Sequence, residues 1–215
     1  MKLPMLNFFA RTTATHCVAF LVLLLIFWAP LQTAKADSQS ASNVVQTFQN
    51  SLIDVMKMAD KLSVAQRYDH LEPTVRQTFH IPLMAQISTG NYWGRAAKDE
   101  RKRLTLAFQR MSVATLATLF DGYSGESFSI DTEKPGPSKT TLVMTSLIKT
   151  DKSKIKIAYV TRKFRTGWQM IDVIVDNGIS ELKVRRSEYN LILKKGGVPA
   201  LIDLLNNKAD QLMSQ

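Results

Sequence analysis

Cysteine is all but absent. Cys17 is the one such residue in 215, which excludes a disulfide framework and any zinc site built from several thiolates. The chain also lacks a G-x-S-x-G serine motif and a glycine-rich phosphate loop, so nucleophilic and nucleotide chemistry have little to stand on. Aromatic residues do not interleave with basic ones as in single-strand nucleic-acid binders. There is no internal repeat and no low-complexity run. At 45% apolar and 21% charged residues the composition suits one globular domain and excludes a disordered or fibrous chain. Acidic residues are too few to balance the basic ones: 18 against 28, a formal charge of +10. That excess calls for an anionic partner.

A membrane-spanning run is missing as well. Val18 to Ala29 is an almost unbroken apolar stretch, but its roughly 12 residues, ended by Pro30, fall short of the roughly 20 needed to cross a bilayer. Preceded by Lys2 and Arg11 and followed by Ala34-Lys35-Ala36, it reads as a secretory signal cleaved after Ala36, with an uncleaved anchor as the competing reading. Residues 1–36 are then a signal peptide and 37–215 a single domain. Cys17 leaves with the signal, as do Lys2, Arg11 and Lys35, so 25 basic and 18 acidic residues remain and the domain keeps a charge of +7. An exported basic protein seldom meets nucleic acid, so the expected partner is an anionic lipid or an acidic protein.

From Asn43 to Leu62 apolar residues recur at three- and four-residue steps, predicting an amphipathic helix capped by Ser42 or Asn43. Short helices are expected over Ser63 to Leu71, from Pro73 to Phe79 and from Pro82 to Ile87, the last closed near Gly90. Lys98 to Phe120 contains neither glycine nor proline and predicts the longest helix, apolar nearly all round beyond Leu104 and so covered on more than one side. After Gly122 four strands are expected, at Ser127 to Thr132, Thr140 to Thr150, Lys154 to Phe164 and Gly167 to Asp176. Their short connections make an antiparallel meander. Strict alternation in the last strand places Trp168, Met170, Asp172 and Ile174 on one face and Ile171, Val173 and Val175 on the other, so both faces should be covered. Asn177-Gly178 makes the turn out. Ser180 caps a helix to Lys195, and Pro199 opens a final helix to about Met213. The expectation is an α+β domain, a four-stranded antiparallel meander packed with N-terminal and C-terminal helices.

Candidate chemistry is thin. His70 and His80 have no carboxylates at metal-ligand spacing, so no metal site is expected. Asp172 breaks the apolar pattern of its strand. It is either a general base in a cavity enzyme of the ketosteroid-isomerase kind or a structural carboxylate satisfied by an arginine or by backbone donors at the next helix. Met84, Met111, Met144 and Met170 fall in apolar segments, where thioethers serve either as core or as the lining of an acyl-chain pocket. Two basic clusters, one holding Arg101 and the other Arg185 and Arg186, suit a phosphate head group if they share the rim of a pocket, and a solvated helix face otherwise.

Phe79-His-Ile-Pro-Leu-Met-Ala85, then Gly90, Trp93, Arg101, Phe108 and Tyr123, resemble the MlaC / toluene-tolerance family of periplasmic phospholipid-binding proteins. Gly167-Trp-Gln-Met-Ile-Asp-Val-Ile-Val-Asp-Asn-Gly-Ile-Ser-Glu-Leu-Lys-Val-Arg-Arg-Ser-Glu-Tyr189, with Ile192-Leu193, Gly197, Leu201-Ile202 and Leu205, is closest to its hopanoid-associated HpnM branch. The turn at Asp176 to Ser180 is a residue longer than in typical phospholipid carriers. The resemblance implies a non-catalytic periplasmic carrier without a cofactor. It would hold a phospholipid or hopanoid between sheet and helices and exchange it with an inner-membrane ABC-type transporter and an outer-membrane complex. In that light the expected lipid-binding residues are Met84, Trp93, Leu104, Phe108, Met111, Met144, Tyr159 and Met170. Arg101, Arg185 and Arg186 are expected at the head group or at a docking surface, and Asp172 becomes structural. Two other readings stay open: the cavity enzyme using Asp172, and an adaptor that binds only proteins.

Overall fold

The computed structural model describes residues 40–176 and 178–214. The expected signal, its cleavage point and Asn177 of the expected turn lie outside them.

Helix α1, Ala41–Met58, is capped two to three residues earlier than its apolar pattern suggests: the Ser40 side chain accepts the Asn43 N–H at 3.0 Å. Ser42, an expected cap, instead donates its N–H to the Glu133 carboxylate at 2.9 Å. Three residues of 3-10 helix, Ala59–Lys61, lead to α2, Val64–Thr78, which opens on a capping box between Ser63 and Gln66. Two helices were expected here, and the structure has one that runs through Pro73. Proline removes a helical hydrogen bond, but Leu71 and Val75 on either side of it are buried in the core, and that packing holds the helix through the proline.

Helix α3, Ile81–Thr89, is capped by His80, whose Nδ1 accepts the Leu83 N–H at 3.2 Å. A five-residue helix α4, Asn91–Arg95, precedes α5, Lys98–Leu119, where the Glu100 carboxylate accepts the Ala97 N–H at 2.8 Å. α5 packs against α2 on one side and the C-terminal helix on the other, which is why its apolar residues run nearly all round.

The sheet has five strands rather than four, in the order β1 to β5: Ser127–Gly136, Thr140–Ile148, Lys154–Phe164, Gly167–Val175 and Ile179–Ser180, all antiparallel. β5 is too short to show an alternating pattern in sequence. β1 runs four residues past the expected Thr132 and holds Pro135, which an edge strand accommodates. Helix α1 lies against all four long strands. After β5 comes α6, Glu181–Met213, in which Gly197 (φ +67°) and Pro199 separate two arms at the place the sequence marks as a break.

One irregularity decides what faces what. Between β3 and β4 Val160 pairs with Asp172 and Thr161 with Met170, so Ile171 is an extra residue, a bulge. Strict alternation puts Met170 and Val173 on opposite faces. The bulge brings both to the helix side, with Met170 fully buried and Val173 packed against the core.

Candidate functional site

A cavity of about 430 Å³ lies between the sheet and the helices. Its floor is made by Phe48 and Leu52 of α1, Val75 of α2, Phe79, Ile81 and Met84 around the start of α3, Phe108 of α5 and Tyr159 of β3. Phe48 meets Phe79 edge-on at 4.8 Å and Tyr159 at 6.1 Å between ring centroids, a favoured aromatic geometry. Burial pushes the Tyr159 phenol up to about 12, opposed by a hydrogen bond from Gln49.

The mouth opens where Phe128, Leu147, Ile155 and Val175 stand at one end of the four long strands, opposite Leu116 and Leu119 of α5 and the Phe120 that ends it. Leu119 is 68% exposed. The sheet side of the cavity follows from register: Phe128 pairs with Leu147, Leu147 with Ile155, Ile157 with Val175 and Tyr159 with Val173, so these side chains share one face.

Of the eight residues expected to bind lipid, Met84, Phe108 and Tyr159 line this cavity. The others do not come to it. Met144 pairs with Ala158 and so stands on the opposite face from its neighbours Val143 and Thr145. Leu104 and Met170 are fully buried core, and Met111 is core beside the wall. Trp93 sits on α4, where the Arg101 guanidinium lies 5.9 Å from its ring.

The basic residues separate as well. Arg101 donates to the Trp93 and Gly94 carbonyls at 2.8 and 3.0 Å, tying α4 to α5. Arg186 lies in a separate polar groove with Gly90 and Lys183. A Cβ on Gly90, whose φ is +56°, would stand 2.9 Å from the Arg186 guanidinium. Only Arg185 of the three lines the apolar cavity.

Asp172 is not among the lining residues. One carboxylate oxygen accepts the Val173 and Leu182 N–H groups at 2.8 and 3.1 Å, and the other accepts the Ser180 hydroxyl at 2.5 Å. Ser180 in turn accepts the Lys183 N–H at 3.1 Å. The carboxylate therefore anchors the start of α6, the structural alternative, where the helix dipole favours it. Among the described residues no group of three His, Cys, Asp or Glu side chains could hold a metal ion, and His80 is committed to its cap and to stacking on Phe164 at 4.1 Å.

This architecture can be set beside known proteins. The family model described as MlaC protein matches residues 46–207. The chain belongs to the MlaC family. No curated protein matches it. Among solved structures it is similar to a phospholipid-binding protein from Ralstonia solanacearum in complex with a phospholipid, with a TM-score of 0.71 at 15% identity, covering 80% of this chain and 98% of that one. At that identity the likeness shows the fold.

In this MlaC-family domain the two segments that carry the resemblance both reach the cavity. The first contributes Phe79, Ile81 and Met84, and the second Val173, Val175, Glu181, Leu182 and Arg185. Sequence reasoning missed most of the sheet-side lining. The alternation of Ile155, Ile157 and Tyr159 marks it in β3, whereas Val173 and Val175 are hidden by the bulge at Ile171.

Proposed function

We propose that this protein is a non-enzymatic lipid carrier whose cavity holds the apolar part of a lipid. The observation that carries the reading is the cavity itself: about 430 Å³, continuous from a buried aromatic floor to an open apolar mouth, within the range of about 300–1,000 Å³ common for small-molecule sites. Filling it removes apolar surface from water on both partners, worth roughly 25 cal/mol per Å². Membership of the MlaC family and the phospholipid held by the Ralstonia protein of the same fold support the choice of lipid. Among the described residues no helix is long and apolar enough to cross a membrane.

The finer reading places the carrier in the periplasm, exported by its N-terminal signal. There it takes lipid from one membrane complex and delivers it to another, an ABC-type transporter on one side and an outer-membrane complex on the other. Its sequence resemblance to the hopanoid-associated branch leaves phospholipid and hopanoid as the two cargo classes. The test is to express the full chain, purify it from the periplasmic fraction, and read its N-terminus and bound molecules by native mass spectrometry followed by organic extraction. We expect a chain beginning at Asp37 with one lipid equivalent. A protein that arrives empty and takes up neither phospholipid nor hopanoid from vesicles overturns the carrier reading.

A further inference from the structure

The cavity wall is uneven in polarity. Its sheet side is apolar at the mouth, whereas its α6 side carries Glu181 and Arg185, the two charged side chains among the lining residues. They are separated by one helical turn, a rise of about 6 Å. Both are half-buried, yet they do not pair with each other, and among the described residues neither forms an ion pair within 4.0 Å. Arg185 has weak partners only: its Nη1 reaches the Tyr189 hydroxyl at 3.5 Å and the Met111 sulfur at 3.9 Å, and the guanidinium lies 5.9 Å from the Phe108 ring. A guanidinium withdrawn from water without a counter-charge is unfavourable, and a phosphate that offers two oxygens satisfies it better than any group now near it.

The order of the groups along the wall is informative. Phe108 is deep in the floor and 1% exposed. Arg185 lies against it, and Glu181 follows one turn nearer the β4–β5 turn and the mouth at Val175. Along α6 the wall runs from the apolar floor at Phe108 to the cationic Arg185 and then to the anionic Glu181 at the start of the helix. An aminophospholipid has the same sequence: acyl chains, phosphate, primary ammonium.

Resting on the carrier reading, we infer that the cargo has a zwitterionic head, with its phosphate on Arg185 and its ammonium on Glu181. This selects an aminophospholipid over a neutral polycyclic lipid and over a net-anionic phospholipid.

The experiment loads the full-length protein from vesicles containing equal parts of phosphatidylethanolamine, phosphatidylglycerol and diacylglycerol with identical acyl chains, and quantifies the lipid bound after re-isolation. The native protein should enrich phosphatidylethanolamine about fivefold over each of the others, the scale of one ordinary net hydrogen bond. Arg185→Gln should lose the preference for phosphate-bearing lipid over diacylglycerol. Glu181→Gln should move the preference towards phosphatidylglycerol, and Arg186→Gln, in the separate groove, should keep the native profile. Arg185→Lys retains the charge and should retain most of the preference, which covers the case in which the glutamine variant does not fold. Loading in the vesicle ratio by the native protein, or an unchanged profile in Arg185→Gln, overturns the head-group assignment and leaves the carrier standing. No loading of any of the three lipids overturns the head-group assignment, and it overturns the carrier as well when hopanoid-containing vesicles also leave the protein empty.

Discussion

The floor and the mouth of the cavity are built from the same kinds of residue and are held in different ways. Phe48, Leu52, Val75, Phe79 and Phe108 on the floor are each at most 6% exposed and belong to one core cluster with α1, α2 and α5. Leu116, Phe120, Phe128 and Val173 towards the mouth are only partly buried, and Leu119 projects into solvent. Apolar area on the floor is removed from water when the chain folds. At the mouth much of it remains exposed and becomes available when something enters. Floor substitutions should therefore act on stability and mouth substitutions on uptake.

The largest expected effect is at Phe48. Phe48→Ala removes the ring that meets Phe79 and Tyr159, and should cost roughly 3–5 kcal/mol in urea unfolding. A loss below about 1 kcal/mol would mean the floor already behaves like the mouth. Arg67 comes next. Its Nε donates to the Ala117 carbonyl at 2.8 Å and its Nη1 to the Leu62 carbonyl at 2.7 Å, tying α2 to the end of α5 and to the segment that follows α1. Arg67→Met keeps the stem and strands those acceptors, at about 2–4 kcal/mol by the same measurement.

Tyr159 gives the floor a pH signature. Its phenol is raised from 10.0 to about 12 in the folded protein, so the unfolded chain ionises first. The stabilisation is complete below about pH 10 and is lost as pH rises towards 12. Denaturation followed between those values should show stability falling more steeply in the native protein than in Tyr159→Phe. Equal slopes would place the phenol in water, as at the mouth.

Asp172→Asn should cost about 1 kcal/mol through the weakened start of α6 and leave bound lipid unchanged. Loss of a turnover with folding intact would instead restore the general-base reading. The smallest stability effect is expected at Leu119. Leu119→Ser should stay within about 0.5 kcal/mol of the native protein yet slow lipid uptake from vesicles, and unaltered uptake would remove α5 from the entrance.

Much of this arrangement can be read from the chain, for reasons that differ by residue. The periodicity of α1 and the capping residues Ser63 and Ser180 act locally, so helix starts and turns appear in sequence order. Met144 shows the limit: an apolar residue in a strand belongs to one of two faces, and only pairing with Ala158 says which. Phe108 shows another. Its place on the cavity wall is predictable from α5, but its near-complete burial is not, so a charge introduced there would unfold the domain rather than simply empty the cavity.

Local and compositional features follow from the order of residues alone: the basic balance, the absence of disulfides, the α+β order of elements, the hairpins and the breaks at Gly90 and Gly197. It takes the folded chain to show that the helix survives Pro73, that a bulge at Ile171 turns Val173 and Val175 inward, that Asp172 anchors a helix, and that Arg185 reaches the cavity while Arg101 and Arg186 do not. Propensity and capping depend on residues within a few positions of one another. Which face is buried, and which charge is left without a partner, depends on elements far apart in the chain that meet only once it has folded.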